Sequence, residues 1–383
     1  MAEPELDTHG AGLTCWLLDT RSLWPGAKIS DSPSAREALQ LISAQERENI
    51  LRKYHIADAR MSLGSALLKR LFVHQSLGIP WKDITFGRKR DPKHGKPCAL
   101  LPPSASSPST TPIPAPLEFN VSHQAGLVAL VGCKTAVLDA ELGVDIVCVN
   151  ERNESRTIDQ EGFHGWIDMY SEIFSHDESL DMKYNCDEFA LLDGTIVTPV
   201  MLQAHGHDTC TRRNQSLRVR LDNGEHTTFD SELLIDAKLR RFYTFWCYKE
   251  AYIKLDGEAL LAKWIPRLEF RNVRAPKQGT VTTCSTHGTS GERVGDAEVW
   301  FTKSRSVGGG PAGVDVQSMK AGESKRLSDT RMEIQAFEED FMIGVAAKMR
   351  SSEVVGGARL PDVLTKFEGL NLEGDIMSVA REA

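Results

Sequence analysis

One stretch in the second half of the chain carries side chains that could act together in chemistry. Phe245–Lys254 predicts a helix, and the four-residue spacing of Trp246, Glu250 and Lys254 places these side chains on one face. A carboxylate and an ammonium group stacked in this way could hold a metal ion and a phosphate side by side. A solvated Glu–Lys pair, worth about 0.2–0.5 kcal/mol on a helix surface, would explain the same spacing.

A second carboxylate lies in an apolar segment upstream, where Leu142–Val149 predicts a strand that contains Asp145. A carboxylate buried in a strand is costly unless it is paired or binds a cation. Mg²⁺ is commonly bound by one or two carboxylates together with substrate phosphates, so Asp145 and Glu250 could form such a site. An aspartate at a strand end that faces solvent is the alternative.

Two shorter motifs carry groups that suit a phosphate ligand. The strand-like Phe119–His123 ends in Ser122 and His123 before a glycine-containing turn, which would present a hydroxyl and an imidazole. Gly95-Lys96-Pro97 holds Lys96 on a stiff turn. Taken singly, each motif also fits an ordinary turn or a solvated lysine.

These groups must be positioned by a mixed set of helices and strands. Hydrophobic periodicity predicts helices at Glu37–Tyr54, Ala57–Gln75 and Ala237–Asp256, and strands at Leu13–Leu18, Glu118–Val121, Leu127–Cys133 and Leu142–Val149. A closing hairpin is predicted at Met332–Phe337 and Phe341–Lys348. The Pro/Ser/Thr-rich stretch 102–116 is expected to be a surface loop.

Composition limits the class of protein. The chain has 383 residues and a formal charge of −8, which argues against a general nucleic-acid binder. Its eight cysteines are scattered, as expected for a reducing compartment. The acidic N-terminus does not follow the plan of a signal peptide, and no apolar run approaches the roughly 20 residues needed to span a bilayer. We expect a cytoplasmic monomer with no nucleic-acid or membrane partner.

Four motifs occur in an order that resembles the Sfp-type 4′-phosphopantetheinyl transferases, especially the fungal members. They are Gly95-Lys96-Pro97, Phe119-Asn120-Val121-Ser122-His123, Gly143-Val144-Asp145-Ile146 and Trp246-x-x-Lys249-Glu250-Ala251-x-x-Lys254. The resemblance implies an α/β (α+β) fold of two similar halves in a pseudo-twofold pair, each a small antiparallel sheet packed on a long helix. Coenzyme A would bind between the halves.

On this resemblance, the N-terminal half would occupy residues 1–145 and the C-terminal half residues 146–350. Insertions are expected at about 150–237 and 277–328, because the motifs of the second half are widely separated. Residues 351–383 would form a peripheral tail.

The resemblance also implies the reaction, which is Mg²⁺-dependent transfer of the 4′-phosphopantetheine arm from coenzyme A to a serine of apo carrier proteins. Adenosine 3′,5′-bisphosphate would be released. Asp145 and Glu250 match the family's metal ligands, Glu250 also matches its probable general base, and Lys254 matches a lysine that contacts the coenzyme A phosphates. The expected carriers belong to aminoadipate reductase, polyketide synthases and non-ribosomal peptide synthetases.

Other family positions can be carried over in the same way. Ser122 and His123 match the pair that contacts the pyrophosphate and the 3′-phosphate, and Lys96 matches a lysine near the adenosine. Arg60 matches a basic position for the 3′-phosphate, and Lys249 is expected to lie beside these groups. Glu178 matches a further family acid. Val147 stands where bacterial members often have a second strand carboxylate, and a water could replace that ligand.

Alternatives to this interpretation remain open at the level of sequence. A non-catalytic coenzyme A-binding module would keep the binding residues without turnover, and an unrelated Mg²⁺-dependent nucleotide phosphotransferase is disfavoured because no Walker motif is present. The His205–Cys210 run resembles a weak zinc motif. Lys69-Arg70 and Arg240-Arg241 are expected to lie on solvated helix faces.

Overall fold

The computed structural model describes residues 12–89, 95–102, 112–149, 151, 154–257, 262–279, 289–304, 308–350 and 359–383. The strands within these residues are β1 (Leu13–Asp19), β2 (Thr85–Arg88), β3 (Pro97–Leu101), β4 (Ile113–Pro114), β5 (Leu117–Gln124), β6 (Leu127–Lys134), β7 (Ala140–Cys148), β8 (Phe189–Ala190), β9 (Ile196–Val197), β10 (Ser216–Arg220), β11 (His226–Asp230), β12 (Leu268–Arg271), β13 (Ser290–Val294), β14 (Glu298–Thr302), β15 (Ser324–Arg326), β16 (Thr330–Phe337), β17 (Phe341–Met349) and β18 (Glu368–Gly369). The helices are α1 (Pro33–Gln40), α2 (Ala44–Leu51), α3 (Ile56–Leu77), α4 (Glu154–Asp168), α5 (His176–Tyr184), α6 (Pro199–Ala204), α7 (Ser231–Asp256) and α8 (Ser378–Glu382).

Two four-stranded sheets, with strand orders β18-β1-β6-β5 and β13-β16-β17-β7, organise the molecule. Each sheet contains one strand that is followed by a long helix and then by a hairpin: β1, α3 and β5–β6 in the first, β7, α7 and β16–β17 in the second. In the first sheet the second hairpin strand, β6, lies between β1 and β5. In the second sheet the corresponding strand, β17, lies between β16 and β7. This arrangement confirms the predicted mixed fold of small, mainly antiparallel sheets with helices.

Glycines allow the long helices to approach the sheets closely. A Cβ atom added to Gly143 on β7 would lie 2.0 Å from the Ala251 carbonyl oxygen and 2.5 Å from the Leu255 nitrogen of α7. In the first sheet, a Cβ at Gly132 would lie 2.5 Å from the ring of Phe72 on α3. The helix–sheet distance at these points is therefore set by the absence of a side chain.

Strand β7 belongs entirely to the second sheet. It pairs antiparallel with β17 along its whole length: Ala140 lies opposite Met349, Asp145 opposite Gly344 and Cys148 opposite Phe341. The expected boundary at 145/146 falls inside this continuous strand. The expected insertion at 150–237 contains α4 to α6 and the hairpin β10–β11, and the one at 277–328 contains β13 to β15.

The C-terminal segment differs from the expected peripheral tail. Strand β18 pairs in parallel with β1, and the side chains of Ile376 and Met377 are buried in the core under the first sheet. The carboxylate of Glu333 on β16 accepts hydrogen bonds from the backbone nitrogens of Leu364 and Thr365 at 3.1 and 2.9 Å. The segment is therefore attached to the first sheet by apolar side chains and to the second sheet by hydrogen bonds to the buried Glu333 carboxylate.

Two further expectations are corrected. The single helix predicted at Glu37–Tyr54 is two helices, because Ser43 and Glu46 form a capping box that starts α2 at Ala44. Two of the arginines predicted on solvated faces are buried in ion pairs: Arg70 with Glu46 at 2.7 Å, and Arg241 with Asp181 at 2.6 Å. Arg240 is half-buried and donates to the backbone oxygens of Pro276 and Glu339. A helix periodicity cannot show that a neighbouring element covers the polar face.

The predicted loop at 102–116 lies largely outside the described residues. Within the described ranges, no helix is both long and apolar enough to cross a membrane.

The close approach at Gly143 generates a stability prediction. Gly143→Ala should lower the free energy of unfolding by about 3 kcal/mol, because the new methyl group would overlap the backbone of α7 and the helix would have to move. Urea unfolding measures this. Gly369→Ala is the matched control, since an added Cβ there meets no atom within 4 Å, and its stability should stay within about 0.5 kcal/mol of the parent. Equal stabilities for the two variants would contradict the proposed close contact.

Candidate active site

The candidate site lies where the edge strand of one sheet meets the edge strand of the other. Alternate residues of β5, namely Glu118, Asn120 and Ser122, point to one side of the strand and are all buried. Asn120 Oδ1 accepts a hydrogen bond from the Val144 nitrogen of β7, and Ser122 Oγ accepts one from the Ile146 nitrogen, each at 3.3 Å. Polar side chains of β5 therefore join the two four-stranded sheets.

Asp145 lies at this junction and is 5% exposed. Its Oδ1 atom accepts hydrogen bonds from Ser122 Oγ at 3.0 Å and from Lys254 Nζ at 2.5 Å. Lys254 also donates to Ser122 Oγ at 2.8 Å. The predicted residues of β5, β7 and α7 thus meet in one hydrogen-bonded group, and the ammonium compensates the buried carboxylate.

Helix α7 brings Lys254 to the junction because it lies directly on β7. Cys247 Sγ donates to the Asp145 backbone oxygen at 3.5 Å, and Gly257 in the left-handed conformation ends the helix just after Lys254. Glu250 is partly exposed and shares the helix face with Lys254 and Trp246. The ring of Trp246 packs edge-on against Tyr170, which precedes α5, at 5.8 Å.

His123 is the next residue of β5 and remains exposed at the end of the strand. Partial desolvation of its ring lowers the pKa of His123, and the positive charge of Lys254 lowers it further. Lys53 and Lys69 act in the same direction, while Asp58 opposes them. The imidazole is therefore mainly neutral at pH 7, surrounded by more positive than negative groups.

The donor groups fit a hard divalent cation in their chemistry. Asp145 Oδ1 accepts the hydrogen bonds from Ser122 and Lys254, and Glu250 lies one helical turn before Lys254 on α7. Mg²⁺ prefers such carboxylate oxygens and retains several waters. No cluster of three or more histidine, cysteine or acidic side chains suited to a metal occurs in the described part of the chain. Val147 is buried in the apolar core and adds no ligand.

The structure places Lys249 away from this group. Its side chain is completely buried and forms an ion pair with Glu178 at 2.9 Å. Its Nζ also donates to the carbonyl oxygens of Leu268 and Ile265, the latter at 3.3 Å. Burial lowers the pKa of Lys249 and raises the pKa of Glu178, and their mutual attraction opposes both shifts. Lys249 connects α7 to the insertion and to β12.

The buried carboxylate of Glu178 has partners that the sequence did not predict. Its Oε1 accepts from the Phe270 nitrogen and its Oε2 from the Ser175 nitrogen, both at 2.9 Å. The Ser175-x-x-Glu178 spacing of a capping box was the available signal. No spacing rule could have paired Glu178 with Lys249.

Lys96 and Arg60 also lie outside the Asp145 group. Lys96 Nζ donates to the carboxylate of Glu118 and, at 3.3 Å, to the carbonyl oxygen of Leu255 at the end of α7. The guanidinium of Arg60 donates to the backbone oxygens of Trp24 and Arg21 at 3.2 Å. Lys96 therefore contacts the junction at a different point, and Arg60 holds the segment that follows β1.

The His205–Cys210 run has backbone partners in the structure. His205 Nε2 accepts from the Arg220 nitrogen at 3.2 Å, and His207 Nε2 lies 3.0 Å from the Arg218 oxygen. Both imidazoles thus bind strand β10. Cys210 Sγ contacts the Arg212 carbonyl oxygen at 3.4 Å.

Comparison with known proteins identifies the family. The family model described as 4′-phosphopantetheinyl transferase, N-terminal, matches residues 31–135. The chain is 50% identical over 378 residues to a 4′-phosphopantetheinyl transferase of Aureobasidium melanogenum, covering 98% of this chain and 99% of the relative. It is 32% identical over 393 residues to the 4′-phosphopantetheinyl transferase NpgA of Emericella nidulans, covering 96% and 94%.

A shorter match extends the comparison. Over 136 residues the chain is 32% identical to the L-aminoadipate-semialdehyde dehydrogenase-phosphopantetheinyl transferase of Schizosaccharomyces pombe, which covers 34% of this chain and 46% of the relative. The near-complete matches at up to 50% identity agree with the order of the four motifs. The chain belongs to the 4′-phosphopantetheinyl transferase family and is an enzyme that transfers phosphopantetheine from coenzyme A to carrier proteins.

Proposed function

We propose that the Asp145–Ser122–Lys254 group, together with Glu250 and His123, is the centre where the pyrophosphate of coenzyme A reacts. The observation that supports this proposal is the meeting of a buried carboxylate, a hydroxyl and an ammonium group from three elements at the junction of the halves. We also propose that the two halves are related by a pseudo-twofold axis, because their strands and long helices are connected in the same order.

In the proposed reaction, the carrier serine Oγ attacks the pyrophosphate phosphorus that bears the pantetheine arm. The bond from that phosphorus to the bridging oxygen breaks, and adenosine 3′,5′-bisphosphate leaves. Glu250 accepts the serine proton, since an unactivated hydroxyl is a weak nucleophile at neutral pH. Lys254 donates to the leaving phosphate and offsets its negative charge.

Asp145 and Glu250 would hold Mg²⁺ in this site, and the ion would neutralise charge on the pyrophosphate oxygens. Ser122 keeps Asp145 oriented through its hydroxyl, at 3.0 Å from Oδ1. The neutral imidazole of His123 can donate a hydrogen bond to a phosphate oxygen and become protonated beside it.

The proposed acceptors are apo carrier proteins of several systems. The name of the Schizosaccharomyces pombe relative refers to L-aminoadipate-semialdehyde dehydrogenase, which supports a carrier in lysine synthesis. We propose carrier domains of polyketide synthases and non-ribosomal peptide synthetases as further acceptors, because they too would present a serine hydroxyl on a small domain.

The role of Glu250 is tested by the amide variant. Glu250→Gln should lower kcat at least about 100-fold, because the amide cannot accept the serine proton. Transfer is measured as the mass gain of one phosphopantetheine on an apo carrier in the presence of coenzyme A and Mg²⁺. Glu232→Gln, in the first turn of the same helix, is the matched control and should leave kcat unchanged. Near-normal transfer by Glu250→Gln would exclude Glu250 as the base.

Asp145→Asn tests the metal assignment separately. The amide preserves the side-chain shape but removes the charge, so transfer should fall about 100- to 1,000-fold and saturation should need more Mg²⁺. Transfer rates are measured across a Mg²⁺ titration at fixed coenzyme A. An unchanged Mg²⁺ dependence together with near-normal turnover would show that Asp145 does not bind the ion.

The lowered pKa of His123 predicts proton uptake when coenzyme A binds. A phosphate placed beside the imidazole favours its charged form and raises this pKa, so affinity should weaken as pH rises through the range where the bound form titrates. Lys254, Lys53 and Lys69 oppose the proton in the free protein, and Asp58 favours it. Calorimetry in buffers of different ionisation enthalpy counts the protons taken up. His123→Gln should abolish the uptake, and equal uptake by both proteins would contradict the assignment.

A further inference from the structure

We propose that Glu118 is a positioning residue for the nucleotide end of the coenzyme A site. It gathers Lys89 and Lys96 from the first half and Arg350 from the second around one buried carboxylate. The inference rests on the proposed function of the junction as the coenzyme A site. Glu118 would fix the position of Lys96 and the separation of the two halves where the nucleotide is bound.

The geometry around Glu118 supports this role. The residue is 2% exposed, and its Oε2 atom lies 2.7 Å from Lys89 Nζ and 2.5 Å from Arg350 Nη2. Its Oε1 atom accepts from Lys96 Nζ, which also donates to the Leu255 carbonyl oxygen at the end of α7. One carboxylate therefore connects β5 with the segment between β2 and β3, with the end of β17 and, through Lys96, with α7.

The carboxylate of Glu118 balances the positive charges of the basic side chains around it. Burial alone would raise the pKa of Glu118, but the positive charges of Lys96 and Lys89 outweigh it and hold the pKa below its ordinary value. Arg350 is also compensated by Asp139 at 3.1 Å and, more weakly, by Glu141 at 3.9 Å.

The two lysines have no comparable second anion within ion-pair distance in the described part of the chain. Loss of the Glu118 charge would leave the two partly buried ammonium groups repelling each other.

The location connects this cluster to the reaction centre. Glu118 and Ser122 point to the same side of β5 and are four residues apart, which corresponds to about 13 Å along a strand. In the last turn of α7, Lys254 Nζ donates to Ser122 Oγ, and the carbonyl oxygen of the next residue, Leu255, accepts a hydrogen bond from Lys96 Nζ. A small cavity of about 40 Å³ lies between Glu118, Lys96, Arg350 and the end of α7.

Glu118→Gln tests the proposal by separating binding from chemistry. The KM for coenzyme A should rise at least tenfold while kcat stays within about threefold and the KM for the carrier is unchanged. The inhibition constant of adenosine 3′,5′-bisphosphate, which contains only the nucleotide end, should rise by the same factor as the KM. Glu118→Asp keeps the charge and should recover most of the loss in both constants.

Glu338→Gln is the matched control, because Glu338 is another buried carboxylate that crosses the halves. It is 9% exposed and pairs with Arg21 at 2.6 Å, at the turn between β16 and β17. This variant should lose thermal stability without a selective change in either constant for the nucleotide.

Unchanged constants in Glu118→Gln, or equal changes in Glu118→Gln and Glu338→Gln, would overturn the positioning role. If Glu118→Gln does not fold, Lys96→Met decides, because it removes the lysine that Glu118 positions, and a KM and inhibition constant equal to those of the parent would overturn the role. Calorimetric binding of adenosine 3′,5′-bisphosphate can be measured even if transfer fails in the parent protein. Failure of the proposed reaction is thereby distinguished from failure of the Glu118 role.

Discussion

The structure depends on one constraint, which is that the polar face of β5 is buried against the second half. Buried polar side chains must find partners, because an unpaired group retains the full cost of desolvation. Glu118, Asn120 and Ser122 meet this requirement with partners from the other half: a guanidinium, a backbone nitrogen, and the Asp145–Lys254 pair. Hydrogen bonds from every second residue of β5 therefore fix the position of one sheet relative to the other.

A second constraint is steric and fixes α7 on its sheet. Gly143 and Gly344 allow the helix backbone and Cys247 to approach the strands, since a Cβ at Gly344 would lie 2.8 Å from Cys247 Sγ. The hydroxyl, carboxylate and ammonium of the candidate site are consequently held by elements with little freedom to separate. Such preorganisation is what electrostatic stabilisation of a reacting phosphate requires.

The buried Glu178–Lys249 pair extends this rigidity to the insertion. Lys249 precedes Glu250, but it points into the protein and joins α7 to α5 and β12. Neighbouring residues of one motif thus have different roles, one inside the protein and one on the site face. The insertion is joined to the core by charge pairing as well as by the aromatic side chains of Phe174 and Phe242.

The family, the order of the motifs and most of the long elements could be predicted from the sequence, because hydrophobic periods and motif spacing are local properties. The resemblance, not the spacing, assigned Asp145 and Glu250 to a metal ion and Lys254 to the phosphates, and the direct Asp145–Lys254 ion pair was seen only in the structure. Alternation along β5 could not distinguish a solvated polar face from a buried one, so Glu118 was missed. Lys249 was expected beside the phosphates, and Lys96 near the adenosine. Only the tertiary structure showed their ion pairs, because the partner of a buried charge is chosen by packing between distant segments.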